Sequence, residues 1–184
     1  MPLKTLVKVG GLTNLSDARY CAGMGVDMIG FQVIPGQPNY IEPQRFQEIR
    51  GWVAGPLIVA EVYGLQTAAE LDAVIEQYKP DYLESGVHEI ALVKNYPLPY
   101  ILALNANETL PGEATKPAMV MIAKGQTTID DIPMMIVVES AEEALSSLVL
   151  TNVKGVALKG GPEIKPGLKN YDAIASVLEV LDED

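Results

Sequence analysis

Eight short apolar runs rich in β-branched residues recur along this chain, at about 3–9, 27–33, 57–63, 80–84, 98–104, 118–123, 134–138 and 153–158. Several are apolar at both odd and even positions, the pattern of strands buried on two faces. Segments of helical spacing separate them. Strands that alternate with helices must pair in parallel, and eight such units predict a (β/α)8 TIM barrel. A five- or six-stranded open, doubly wound sheet is the competing arrangement. At 184 residues the chain is short for a barrel, so several crossovers must be reduced. "HEIALVKNY" leaves room for a short helix, "NANETLPGEATK" has little helical character, and "GQTTIDDIP" allows about one turn. No linker, repeat or low-complexity stretch interrupts the pattern, and one domain over 1–184 is expected.

The helices carry their own start signals. One is expected from Ser16 to Gly23, with Ala18, Cys21 and Ala22 on one side. A second opens at Glu42-Pro43, proline at the first helical position, and buries Phe46, Ile49 and Val53. Thr67 with Glu70, and Ser140 with Glu143, have the spacing of capping boxes. They precede Leu71, Val74, Ile75 and Tyr78 in one case, and Ala144, Leu145 and Leu148 in the other. The last helix starts near Asn170 and buries Ile174, Val177, Leu178 and Leu181.

Charge excludes several function classes. With 13 basic and 24 acidic residues the formal net charge is -11, and such an acidic protein repels nucleic acid. One cysteine and one histidine, Cys21 and His88, leave no metal-binding cysteine spacing and no histidine-rich metal site. No cofactor is implied. "MPLKTLVKVGG" lacks the features of a signal peptide, and no run of about 18 apolar residues exists to span a membrane. A cytoplasmic protein is expected. Oligomeric state is not encoded in any visible pattern.

The stretch "KVGGLTNLSDA", Lys8 to Ala18, resembles the start of the phosphoribosylanthranilate isomerases, where a strand reads K-[IV]-C-G-[IL]-T and runs into [NR]-x-x-D-A. "AGMGVDMIGFQVIPGQPNYIEPQ" resembles the second βα unit of that family, and "VALKGGPEIKPGLKN" its V-D-V-S-S-G-V-E followed by P-G-x-K-D. The likeness extends with gaps over the whole chain. It implies a (β/α)8 barrel and an Amadori rearrangement, an aminoaldose phosphate becoming an aminoketose phosphate in tryptophan biosynthesis.

The departures fall where the resemblance places chemistry. The general base of the family, the cysteine of K-[IV]-C-G, is Gly10 here. Its general acid, an aspartate ending the sixth strand, aligns with Ile122 of "MVMIAKG". Its substrate-holding arginine is Asn39, its histidine after strand four is Ser85, and the aspartate of V-D-V-S-S-G is Ala157. The double glycine after strand seven is absent from "MMIVVESAEEA". Lys8, Gly11, Thr13, Gly160 and Gly161 remain. Each positioned acid or base is worth roughly a hundred- to ten-thousand-fold in rate, and neither glycine nor isoleucine exchanges protons.

What the residues offer instead is a set of charges near strand ends: Lys8, Glu61, Glu84, Lys124 and Glu139, with Lys159 beside Gly160 and Gly161. The first five are candidates for a new acid/base site, with a lysine of lowered pKa, or for mutual pairing across a mouth that no longer takes substrate. Lys159, Gly160 and Gly161 are candidates to hold a small phosphorylated sugar. Gly10 and Gly11 suit either a ligand approaching the backbone or a tight strand-to-loop turn. His88 reads as a solvated or capping residue. The expectation is a phosphoribosylanthranilate isomerase homologue that has lost the family reaction and persists as a non-catalytic or weakly phosphate-binding relative. Two alternatives stay open: an enzyme with different Lys/Glu chemistry at the barrel mouth, and an active isomerase whose acid and base have moved.

Overall fold

In the computed structural model eight parallel strands close into a barrel, and the open-sheet alternative falls away. Residues 3–112, 116–126, 129, 131–160, 163–165, 168–169 and 171–182 are described. In chain order the elements are β1 (Leu6–Gly10), α1 (Leu15–Gly23), β2 (Met28–Gln32), α2 (Pro43–Arg50), β3 (Leu57–Glu61), α3 (Ala68–Tyr78), β4 (Tyr82–Ser85), α4 (Ile90–Val93), β5 (Tyr100–Leu104), β6 (Met119–Ala123), β7 (Met134–Val137), α5 (Ala141–Ser147), β8 (Val153–Lys159), β9 (Glu163–Lys165), β10 (Leu168–Lys169) and α6 (Asp172–Leu181). Each strand from β1 to β8 pairs with its sequence neighbour, and β8 returns to β1 with Lys8 opposite Ala157 and Gly10 opposite Lys159. The trimming lies where the sequence places it. α4 is a single turn, and no helix lies among the described residues between β5 and β6 or between β6 and β7.

The helix starts follow their local chemistry. Asn14 accepts from the Asp17 amide, and proline opens α2. Thr67 and Glu70 form the full reciprocal capping box of α3. At α5 the box is half made: Ser140 accepts from the Glu143 amide, but the Glu143 carboxylate takes the Glu139 amide instead. Leu145, expected in the core, is exposed, because a seven-residue helix turns only a narrow face inward. At the opposite end of the barrel Asp27 and Asp81 accept from the Val7 and Ile58 amides at 2.8 and 2.7 Å. Each thereby tethers its own strand to the foot of the preceding one.

Side chains alternate across the barrel wall, as the two-residue period of a strand requires. Those facing outward join the helices in the larger core, including Val7, Val9, Phe31, Leu102 and Ile122. Cys21 lies in the same core, on the inner side of α1. Those facing inward form a second, smaller core of Met28, Val59, Ile101, Met119 and Met135, with Tyr82 and Met121 against it. This apolar plug fills the lower barrel. Above it the lumen changes character.

Candidate functional site

Lys8 stands at the centre of β1 and points inward, so its ammonium must find partners inside the barrel or be desolvated without compensation. It finds two. Lys8 Nζ lies 3.0 Å from Glu61 Oε1 and 2.7 Å from Glu84 Oε2. Glu61 ends β3, and Glu84, opposite it in register, lies on β4. The three side chains are 2%, 8% and 3% exposed. Outer contacts complete the arrangement. Glu61 accepts from the Gly11 amide at 3.1 Å, and the Tyr63 hydroxyl lies 2.7 Å from Glu84 Oε1. Glu89, also buried, accepts from the amides of Gly64 and Gly86 and ties the loops after β3 and β4 together.

The glycines beside this triplet now have a reason. A Cβ on Gly10 would overlap Glu61 Oε1 and stand 2.7 Å from Lys8 Nζ. A Cβ on Gly30 would overlap the same oxygen and come within 3.1 Å of Lys8 Nζ. What approaches Gly10 is the protein's own carboxylate. Gly11 has a separate role: its φ of +67° turns the chain so that its amide faces Glu61.

The electrostatics oppose amine chemistry at Lys8. Burial alone disfavours its charged form, but Glu61 and Glu84 outweigh that and raise its pKa above the ordinary lysine value. Of the two readings the sequence left open at Lys8, an acid/base lysine of lowered pKa or mutual pairing, the structure has the pairing, and the pKa is raised because two carboxylates face one ammonium. Glu84 is raised too, first by burial and then by Glu61, against the opposing pull of Lys8. Tyr63 is raised by burial and by Glu84.

The other sequence candidates stay outside this cluster. Lys124 is exposed and pairs with Glu143 at 3.4 Å. Glu139 is exposed. Lys159 is exposed at the end of β8, and the Gly160 amide donates to the Gly10 carbonyl at 2.7 Å. Gly161 lies outside the described residues. His88 is exposed. Ile122 does not face the lumen: it packs in the outer core, and the inward position at the end of β6 is Ala123. A one-residue difference in register moved the expected acid position to the wrong face, and alanine is equally unable to transfer a proton. Sequence reasoning did not pick out Tyr63, Gly30 or Glu89. A signal existed for one of them: Gly30 is a lone glycine inside an apolar run.

A charged triplet above an apolar plug, at the C-terminal end of a closed eight-stranded barrel, can be set against known proteins. No protein-family model matches the chain. It is 27% identical over 107 residues to a protein from Xanthomonas oryzae pv. oryzae, covering 58% of this chain and 48% of that one. It is 30% identical over 82 residues to one from Bordetella petrii, covering 45% and 37%. Both are N-(5'-phosphoribosyl)anthranilate isomerases. The matched region spans about half the length of these curated relatives or less. Solved phosphoribosylanthranilate isomerases share the fold over nearly the whole chain. TrpF from Jonesia denitrificans superposes with a TM-score of 0.75 at 19% identity, covering 96% of each chain. A phosphoribosylanthranilate isomerase in complex with reduced 1-(o-carboxyphenylamino)-1-deoxyribulose 5-phosphate superposes at 0.74 and 18%, covering 96% of this chain and 98% of that one. Among the described residues no helix is long and apolar enough to cross a membrane.

Proposed function

We propose that this chain is a phosphoribosylanthranilate isomerase relative that does not carry out the Amadori isomerisation, a cytoplasmic protein whose barrel mouth is occupied by its own ion triplet. One observation carries the reading. The Glu61 carboxylate fills the volume that a side chain at position 10 would need, and position 10 is where the resemblance puts the catalytic base. The acid position is empty of proton donors as well, since the inward residue there is Ala123. Losing a positioned base and a positioned acid, each worth roughly 10²–10⁴ in rate, leaves little of the reaction. The raised pKa of Lys8 speaks against a lysine-based replacement chemistry.

The experiment is complementation. In a cell lacking its own phosphoribosylanthranilate isomerase, this protein should not restore growth without tryptophan, and purified protein should not consume phosphoribosylanthranilate in a fluorescence assay. Robust growth overturns the reading. Gly10→Cys should not restore activity either, because the new side chain meets Glu61 and Lys8 and the acid is still missing.

A weak phosphate site belongs to the same reading. With the Gly160 amide donated to Gly10, contact with a sugar phosphate falls to Lys159 and to Gly161. Affinity should be about millimolar, equivalent to roughly 4 kcal/mol. Titration of ¹⁵N-labelled protein with ribose 5-phosphate should move amides near Lys159, and Lys159→Glu should abolish the shifts. Unmoved amides at tens of millimolar ligand would show that no anion site survives.

A further inference from the structure

Two carboxylates and one ammonium, all almost fully buried, do not balance. Lys8 is the only cation paired with Glu61 or Glu84 among the described residues. With all three ionised the lumen would hold one uncompensated negative charge, an arrangement that low dielectric strongly disfavours. We propose that at neutral pH the triplet carries one proton beyond that of Lys8, resident on Glu84, and that its release at higher pH draws Glu61 away and uncovers the hollow over Gly10 and Gly30. This stands independently of whether the isomerase reaction is lost.

Hydrogen-bonding capacity decides which carboxylate holds the proton. Beyond Lys8, Glu61 faces the Gly11 amide, which can only donate. Glu84 Oε1 faces the Tyr63 hydroxyl at 2.7 Å, which donates or accepts as required. A proton on Glu84 Oε1 can be accepted by Tyr63 Oη once the bond that Tyr63 now donates to that oxygen is reversed, whereas a proton on Glu61 would confront an N–H that cannot accept. Glu84 is also the less exposed of the two. The direction of its titration agrees, burial raising its pKa first and Glu61 adding to it.

The remaining neighbours act in the same sense or are screened. From β2, Gln32 contributes a neutral amide that donates to the Tyr63 carbonyl. Glu89, beside Gly86, adds negative charge and favours keeping the proton. Lys159, opposite Gly10 on β8, is solvent-exposed and opposes it only weakly. Once the proton leaves, Tyr63 donates to an ionised Glu84 and the two carboxylates repel. Glu61 is the more exposed and, apart from Lys8, is held by one backbone amide, so it is the one that moves. Its departure vacates the space beside both glycines.

Infrared spectroscopy of the intact protein, with ¹⁵N NMR of the Gly11 amide, tests this. At neutral pH the wild type should show one protonated-carboxyl band. Glu84→Gln should lack it. Glu61→Gln should lack it too, because Glu84 then forms a one-to-one pair with Lys8 and ionises. Raising the pH should abolish the wild-type band and shift the Gly11 amide with the same midpoint, while in Glu84→Gln that amide stays still. No band in the wild type at neutral pH, a band that survives in either variant, or a Gly11 amide indifferent to the titration would overturn the proposal.

Discussion

Gly10→Ala is the smallest change that asks whether the mouth is packed as described. Gly10 does not have a positive φ, so alanine can adopt its backbone, and any cost must come from contacts. The added methyl would overlap Glu61 Oε1 and approach Lys8 Nζ to 2.7 Å. Both atoms are ends of flexible side chains, but they are buried and bonded, so they cannot swing away without losing partners. Overpacking of a filled site typically costs 1–3 kcal/mol. We expect about 2 kcal/mol here, because Lys8 keeps Glu84 when Glu61 is displaced; for a chain of this size that lowers Tm by about 4–8 °C. The decisive measurement is a double-mutant cycle by urea denaturation, comparing wild type, Gly10→Ala, Glu61→Ala and the double variant. With Glu61 truncated the methyl has room, and its cost should fall to near zero, giving a coupling of about 2 kcal/mol. An equal loss in both backgrounds refutes the reasoning, since the obstruction would then not be Glu61.

Lys8→Met leaves the buried Glu61 carboxylate without its cation and should destabilise by about 3–5 kcal/mol near neutral pH. Because the pKa of Lys8 is raised in the folded state, its stabilisation is whole below the ordinary lysine value of 10.5 and fades only as pH climbs through the higher folded value; a stability gap that closes already at neutral pH would contradict this. The raised pKa of Glu84 works in another window. Its contribution is whole below 4.5 and declines as pH rises through the folded value, so the wild type should lose ground to Glu84→Gln as pH increases from acid, by denaturant titration at a series of pH values. Cys21, on the inner side of α1, should resist a thiol reagent until the protein is unfolded, and rapid labelling of native protein would displace it from the core.

All eight strands and the three reduced crossovers could be read from the sequence, since both depend on local pattern: apolar runs that tolerate no wet face, and connecting segments too short or too polar for a full helix. The hairpin of β9 and β10 was not read, because two- and three-residue strands have no period to detect. The site was half legible. Lys8, Glu61 and Glu84 could each be read as a charge near a strand end, yet their facing inward and their meeting depend on the strand register and on the curvature that brings β1 within reach of β3 and β4. Ile122 shows the opposite failure. It aligned with a reactive position in a resembling family, but one residue of register separates the lumen from the outer core. Tyr63 was invisible for a different reason: it lies past the end of β3, where no strand period fixes the direction of its side chain.

The crossovers that carry no helix among the described residues divide the barrel into unequal arcs. From β1 to β4 the wall is backed by three full helices and a single turn, and braced inside by the triplet. From β5 to β7 the connecting segments among the described residues carry no helix. Amide protons on this second arc should therefore exchange with deuterium first, as a cooperative unit less stable than the whole. The ring would breathe along the seam between β5 and β7, and the charged wall would be the last part of the protein to register that solvent had entered.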